Sequence, residues 1–140
     1  EMLGCQFVIS IGGFKKDEVQ AIPAIYSTAT DLETMEQVLN LGTKVMVGHV
    51  FGIAGLSIGM ARIRNLKGFS LLVDTPGMEP DNNAAKHALI TLGKFLNLDV
   101  DLSNLEDSTN EIKKTLETFG LIRTASEEKK KEEQQLRWFI

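Results

Sequence analysis

The sequence is poor in the residues that build disulfides and metal sites. Its 140 residues include one cysteine, Cys5, and two histidines, His49 and His87. A single cysteine cannot form an internal disulfide, and with two histidines it makes a poor set of zinc ligands. We therefore expect a fold without disulfide or metal staples, in a reducing compartment. We also expect Cys5 to be a small core residue beside a strand.

Long apolar runs and an excess of positive charge are also absent. No stretch approaches the ~20 apolar residues needed to cross a bilayer, and no leader of the signal type is recognisable. The 19 acidic and 15 basic residues give a net charge of −4, whereas a general nucleic-acid binder needs an excess of Lys and Arg to face phosphates. We expect a cytoplasmic protein that contacts neither membrane nor nucleic acid.

What the sequence does contain is an alternation of apolar strands and amphipathic helices, which predicts an α/β fold. The predicted strands are the apolar segments 7–11, 21–27, 44–47 and 69–73. The predicted helices have apolar residues at helical spacing and cover roughly 32–41, 53–64, 82–96 and 104–119. Asp31 is the expected N-cap of the first helix, and Ser103 with Glu106 matches a capping box. The apolar run at 69–73 is typical of a strand buried on both faces of a parallel sheet.

The two ends of the chain differ from this pattern. An apolar strand follows the first residues without a polar tail or an initiator methionine, and we expect that an amino-terminal portion is missing. At the other end, residues 127–135 are all charged or glutamine and cannot fold against a core. We therefore divide the chain into an α/β domain at 1–122 and a charged stalk with a terminal tail at 123–140.

Three motifs resemble parts of enzyme sites. Asp74-Thr75-Pro76-Gly77 follows a strand as in GTPases, but the P-loop lysine motif and the guanine-reading motif are absent, so a turn with Asp74 accepting from turn amides is preferred. Gly55-Leu56-Ser57-Ile58-Gly59 has the letters of a nucleophile elbow, but Ser57 is expected inside a helix. The glycines in residues 48–55 lead into that helix and could bind an anion, although helix packing is the preferred interpretation.

The last three residues are the strongest candidate for a binding element. Trp138-Phe139-Ile140 lies beyond the charged stalk, where an aromatic pair adds nothing to the core of the domain, whereas exposed Trp and Phe are preferred binding anchors. The terminal carboxylate adds a fixed charge that a cation or backbone amides can capture. We predict that Trp138, Phe139 and Ile140 bind a partner. Docking of the tail into its own domain or onto a sister subunit is the alternative.

The order of several sequence blocks resembles the proteasome-assembly-chaperone family found in archaea and some bacteria. The blocks lie at 52–61, 67–77, 80–81, 84–86 and 98–105, with a weaker likeness at 11–14 and 26–31. The resemblance covers most of residues 8–119 and implies a three-layer α/β sandwich with a largely parallel sheet, similar to nucleoside phosphorylases. It also implies that this chain is the carboxy-terminal part of the family fold.

The resemblance implies a function as well. Family members are non-enzymatic scaffolds that form homo-oligomers and bind proteasome subunits. Proteasome-binding chaperones and activators end in a hydrophobic residue, a tyrosine and any last residue, and Trp138-Phe139-Ile140 is similar to that ending, with Phe in place of Tyr. We expect an assembly chaperone or activator without a cofactor, whose partner is the proteasome α-subunits or core particle.

Two other functions stay open at this point. One is a nucleoside-phosphorylase-like enzyme or small-ligand binder, with its site near residues 48–55 and 74–77. The other is a purely structural oligomer whose terminal arms dock on sister subunits.

Overall fold

The computed structural model of the chain describes residues 4–77, 80–103 and 105–120, with the backbone alone at 106–110, 113 and 117. The elements of this part are β1 (Phe7–Lys15), β2 (Ile25–Ala29), α1 (Leu32–Leu39), β3 (Lys44–Val45), α2 (Gly52–Ile63), β4 (Lys67–Thr75), α3 (Asn82–Leu96) and α4 (Leu105–Thr118). Each predicted helix and strand has its counterpart there, so the α/β prediction is confirmed.

The strands form a mixed sheet in the order β1-β4-β2-β3. β1 runs parallel to β4, with Phe7 opposite Lys67, and β2 runs parallel to β3. β2 and β4 are antiparallel, with Tyr26 opposite Leu72. The sheet is thus mixed rather than largely parallel. The apolar run in β4 indicates burial on both faces, but it carries no information about the direction of the neighbouring strands.

Helices cover both faces of the sheet and give three layers. On one face, Phe69 of β4 lies in a core to which α1 and α3 contribute, and its ring centroid is 4.6 Å from that of Phe95 in α3. Leu72 points to the opposite face, because side chains alternate along a strand. A Cβ added to Gly12 of β1 would lie 3.2 Å from Leu72 and 3.7 Å from Ala54 of α2. The helix α2 therefore packs on the face opposite α1 and α3.

The start of α1 is fixed by the predicted cap, Asp31. One carboxylate oxygen accepts from the Thr34 N–H at 2.9 Å, and the other accepts from the hydroxyls of Thr30 and Thr34, each at 2.8 Å. The hydrogen bond from the Thr34 backbone, followed by those from the two hydroxyls, lowers the pKa of Asp31. The Thr30 hydroxyl also accepts from the Gly68 N–H at 3.0 Å. The cap therefore joins α1 to the beginning of β4.

Other local predictions have mixed outcomes. Asp81 caps α3 through the Ala84 N–H at 3.0 Å. The capping box at Ser103 and Glu106 stays a prediction, because the side chain at 106 is outside the described residues. Cys5 is exposed, so its expected place in the core is wrong. It precedes the first residue of β1 and lies outside the layers that cover the sheet.

Two strands are longer than the sequence predicts. β1 continues through Gly12 and Gly13 to Lys15, and β4 begins at Lys67 and includes Gly68. A Cβ on Gly68 would collide with the carbonyl oxygen of Val8. This glycine therefore permits the close approach of β4 to β1 and is not a turn residue.

Candidate protein-binding surface

The predicted binding residues Trp138, Phe139 and Ile140 lie outside the described residues, as do residues 123–137 of the stalk. Their role stays a prediction. The described domain supplies a different candidate, a helix surface that the sequence analysis treated only as a packing element.

The helix α2 exposes an apolar stripe to solvent. Four large side chains with spacings of three, four and three residues are exposed: Ile53 82%, Leu56 65%, Met60 38% and Ile63 76%. These four residues are called the α2 face below. The buried residues of the same helix, Ile58 and Ala61, lie on its other side. An exposed apolar stripe along a helix is typical of an interaction surface.

Basic residues lie at the carboxyl end of α2. Residues 37–73 contain four Lys and Arg and no Asp or Glu, and two of them, Arg62 and Arg64, belong to this end of the helix. Lys67 is engaged by Glu33 at 2.6 Å, and this hydrogen bond is the main cause of the raised pKa of Lys67. Arg62 and Arg64 are exposed, and the described residues offer neither an acidic partner. The surface is therefore apolar with a positive end, which favours an apolar partner that carries acidic groups.

A polar cluster lies where β1 and β4 end. The Lys16 ammonium is 3.1 Å from one oxygen of the Asp74 carboxylate and donates to the Tyr26 hydroxyl at 2.7 Å. These two hydrogen bonds, with that to Tyr26 the larger, raise the pKa of Lys16. The other carboxylate oxygen of Asp74 is buried and lacks a hydrogen-bond partner among the described residues.

This pairing corrects the expected role of Asp74. The sequence predicts that its carboxylate accepts from turn amides after β4, whereas the structure places it against Lys16. The parallel pairing of β1 with β4, which sets Phe14 opposite Asp74, brings the two side chains together. Within the described ranges, no group of three or more His, Cys, Asp or Glu residues could hold a metal ion.

The serine of the elbow-like motif lies inside a helix, as predicted. Ser57 is the sixth residue of α2, which begins at Gly52, so the strand-to-helix turn of a nucleophile elbow is not formed around it. A Cβ on Gly55 would collide with the Val50 carbonyl oxygen. This close approach supports the packing role that the sequence analysis preferred for the glycines of residues 48–55.

Neither histidine belongs to a catalytic arrangement with Ser57. His87 Nδ1 is 2.9 Å from the Asn83 carbonyl oxygen within α3. The His49 ring stacks against Phe51, with ring centroids 6.0 Å apart. Within the part of the chain that is described, no helix is long and apolar enough to span a bilayer.

Comparison with known proteins identifies the family to which this fold belongs. The sequence model of the PAC2 family matches residues 1–119. The chain belongs to the PAC2 family. The PAC2 chain is also similar to MJ1210 of Methanocaldococcus jannaschii, an uncharacterized protein. The two are 29% identical over 105 residues, which are 74% of this chain and 41% of MJ1210.

Two solved PAC2-like structures from Pyrococcus furiosus carry functional descriptions. PbaA, an archaeal homolog of proteasome-assembly chaperone, is 25% identical with a TM-score of 0.74; the match covers 84% of this chain and 53% of PbaA. PbaB, an archaeal proteasome activator, is 26% identical with a TM-score of 0.68 and coverages of 85% and 52%. The resemblance to the proteasome-assembly-chaperone family is thus confirmed. The PAC2 chain spans about half the length of these relatives.

Two features of the structure were not predicted from the sequence: the exposed α2 face and the Lys16–Asp74 ion pair. The signal for the α2 face was present, since Ile53, Leu56, Met60 and Ile63 follow the spacing of a helix seam while Ile58 occupies the other side. The Lys16–Asp74 pair had no local signal, because it depends on the register between two strands that are far apart in sequence.

Proposed function

We propose that this PAC2 chain is a non-enzymatic proteasome-binding protein that acts as an assembly chaperone or activator. The observation that carries the proposal is the likeness to PbaA and PbaB, described as a homolog of proteasome-assembly chaperone and as a proteasome activator. Both matches reach at least 25% identity and cover more than four fifths of this chain.

The proposed contact is the carboxy-terminal tail. Trp138 and Phe139 enter an apolar pocket between neighbouring subunits of the α-ring, and the carboxylate of Ile140 pairs with a lysine there. The stalk at 123–137 supplies reach, because its charged residues keep it solvated. Phe139 lacks the hydroxyl of the usual tyrosine, which costs one hydrogen bond, worth about 1 kcal/mol.

Homo-oligomerisation strengthens this contact. Several arms presented by one assembly can raise the overall affinity by ~10²–10⁴ over a single arm when the spacing of the arms fits the ring. The proposal therefore includes a homo-oligomer, in which the domain at 1–122 sets the spacing and the tail makes the contact.

The test compares the intact chain with a chain that lacks residues 138–140. Each is mixed with archaeal proteasome α-rings and with core particles, and native mass spectrometry counts the complexes. We expect complexes with the intact chain and their loss with the truncated chain. A matched control, Gln134→Ala with Gln135→Ala, changes the stalk and leaves the last three residues intact, so its binding should equal that of the intact chain.

A second variant separates the carboxylate from the side chains. One glycine added after Ile140 keeps Trp138 and Phe139 but moves the terminal charge by one residue. We expect weaker binding if the carboxylate is paired. Unchanged binding of the truncated chain contradicts the docking tail, and absence of binding by the intact chain contradicts the proteasome partner.

The enzyme alternative has a separate readout. A nucleoside-phosphorylase-like activity requires phosphate-dependent release of a base from a nucleoside. The Lys16–Asp74 pair would lie closest to the site expected for it near residues 74–77. We expect no phosphate-dependent release with purine or pyrimidine nucleosides, and release that Asp74→Asn abolishes would favour the enzyme.

A further inference from the structure

One oxygen of the Asp74 carboxylate lacks a hydrogen-bond donor. The ion pair with Lys16 uses Oδ2, at 3.1 Å, and the Asp74 side chain is 8% exposed. Its Oδ1 is buried and receives no hydrogen bond from the described residues. A buried charged acceptor without a donor is costly, because its contact with water is lost and not replaced. An additional donor at Oδ1 would therefore be favourable.

Two donors of the same cluster have unused capacity. The Lys16 ammonium carries three N–H groups, of which one faces Asp74 and one donates to the Tyr26 hydroxyl. The Tyr26 hydroxyl accepts this bond at 2.7 Å, and its own hydrogen has no acceptor within the described part of the chain. The cluster therefore offers a ligand one acceptor and two donors.

The cluster carries no net charge. The Lys16 ammonium and the Asp74 carboxylate compensate each other, so a cationic ligand would meet the ammonium and an anionic ligand would meet the carboxylate. A neutral ligand avoids both repulsions. An amide is a neutral group that places an N–H donor beside a carbonyl oxygen with two lone pairs. It therefore matches the acceptor and the two donors that the cluster offers.

Aromatic side chains flank these polar groups. The rings of Phe14 and Tyr26 have centroids 5.5 Å apart and are tilted by 57°, and both residues are partly buried. The Lys16 Nζ lies 4.9 Å from the centre of the Tyr26 ring and 5.8 Å from that of Phe14. Aromatic walls with a few polar groups are typical of sites for small molecules. They favour a ligand whose amide is attached to a flat ring.

The position in the sheet also suits a ligand. The parallel strands β1 and β4 end together at Lys15 and Thr75, and ligands of open α/β sheets bind outside the carboxyl ends of the strands. The outer member of the cluster is Lys16, whose side chain is 36% exposed. Its stem is flexible, so a ligand reaches Asp74 when this side chain moves aside.

We propose that Lys16, Tyr26 and Asp74 form a binding site for a neutral amide that is carried by a flat ring. The amide N–H donates to Oδ1 of Asp74, and the carbonyl oxygen accepts from the Tyr26 hydroxyl and from the third N–H of Lys16. The ring packs against Phe14 and Tyr26. The site uses neither the α2 face nor the tail, so the proposal is independent of proteasome binding.

Four probes of similar size test the chemistry on the intact chain. Benzamide has the donor and the carbonyl, acetophenone keeps the carbonyl without the donor, and benzamidine and benzoate are the cation and the anion. Titrations followed by ¹H–¹⁵N correlation spectra report saturable shifts at residues 14–16, 26 and 74. Benzamide should bind ~10-fold more tightly than acetophenone, because only benzamide supplies a donor to the buried carboxylate. Benzamidine and benzoate should bind more weakly than benzamide.

Two variants assign the hydrogen bonds. Tyr26→Phe removes a donor to the carbonyl and should weaken benzamide and acetophenone by a similar factor, about 5-fold. In Asp74→Asn the amide oxygen should face Lys16, which leaves an NH₂ group in place of Oδ1, so the preference for benzamide should disappear. Glu33→Gln is the matched control, since it alters the ion pair with Lys67 at the other end of β4 and should leave the binding of all four probes unchanged.

Four results would overturn the proposal. Benzamide may not be the preferred probe in two ways: acetophenone binds as tightly, or benzamidine binds more tightly and the cluster is a cation site. Absence of saturable shifts with benzamide would leave a structural ion pair only. A preference for benzamide that survives in Asp74→Asn would place its donor elsewhere. Far-UV circular dichroism verifies the fold of each variant, and the comparison of the four probes on the intact chain stands even if Asp74→Asn does not fold.

Discussion

Removal of the Asp31 carboxylate should destabilise the domain by about 3 kcal/mol. Asp31→Ala deletes the N-cap of α1, which is worth about 1 kcal/mol. It also removes the acceptor of two hydroxyls, on Thr30 and Thr34, which are 9% and 1% exposed. Each lost hydrogen bond of this kind costs about 1 kcal/mol. For a chain of this size the sum corresponds to a Tm lower by roughly 10 °C.

Asp31→Asn is the informative control. Asparagine is as good an N-cap as aspartate, so its amide oxygen should keep the bond from the Thr34 N–H. The amide nitrogen cannot accept from the two hydroxyls, but each hydroxyl can reorient and accept from it. We therefore expect Asp31→Asn to lose about 1 kcal/mol, within the range of a single hydrogen bond.

The dependence on pH follows from the lowered pKa of Asp31. A carboxyl with a lower pKa in the folded state stabilises the fold fully above its unfolded pKa of about 3.9, and this contribution is lost as the pH falls through the folded pKa. The advantage of the natural sequence over Asp31→Asn should therefore be constant at neutral pH. It should decrease below about pH 4.

Urea unfolding followed by far-UV circular dichroism measures these differences at pH 7 and at several values below pH 4. The reasoning would be refuted by a loss below ~1 kcal/mol for Asp31→Ala, because a cap alone accounts for that amount. It would also be refuted if Asp31→Ala and Asp31→Asn were equally stable, since the cap and the other hydrogen bonds that asparagine retains would then contribute nothing.

Three further predictions concern the glycines of α2, the aromatic core and the tail. Gly59→Ala should stabilise the domain by about 1 kcal/mol, because a Cβ there meets nothing within 4 Å and Ala is the better helix former. Gly55→Ala should destabilise it, because a Cβ collides with the Val50 carbonyl oxygen; equal urea midpoints for the two variants would contradict the packing role of Gly55. Phe95→Ala should cost about 3 kcal/mol of unfolding free energy, since its ring is 4.6 Å from that of Phe69; a loss under ~1 kcal/mol measured in urea would show that the aromatic contact is unimportant. Deletion of residues 138–140 should leave the Tm unchanged while it removes proteasome binding, and a lowered Tm in differential scanning fluorimetry would instead indicate docking on the domain.

The sequence was sufficient where structure is decided locally. Asp31 was predicted as a cap because an acceptor side chain directly before an amphipathic helix meets free N–H groups whatever the rest of the fold does. Apolar periodicity placed α2 and α3 within about a residue for the same reason. These features need only the residues within one or two helical turns.

Strand direction and polar pairing were beyond sequence reasoning. The antiparallel neighbour β2 and the Lys16–Asp74 ion pair both depend on which strands meet and in which register. The local sequences of two strands that are far apart in the chain do not indicate whether those strands pair or in which register. The exposed α2 face is an intermediate case, since its pattern was visible in the sequence but its exposure depends on how much of the helix the sheet covers.

The place of β4 in the sheet determines when this fold can form. β4 pairs with β1 in a register that sets Phe7 opposite Lys67 and Lys15 opposite Thr75, so each pair joins residues 60 positions apart. At a translation rate of roughly 5–20 residues per second, about 3–12 s pass between the synthesis of β1 and that of β4. Pairing at such sequence separation is also slow in itself, because the loop must close before the contacts form. During its own synthesis the chain therefore exposes the apolar strand Phe7–Lys15, and it should itself depend on protection from aggregation until β4 has emerged.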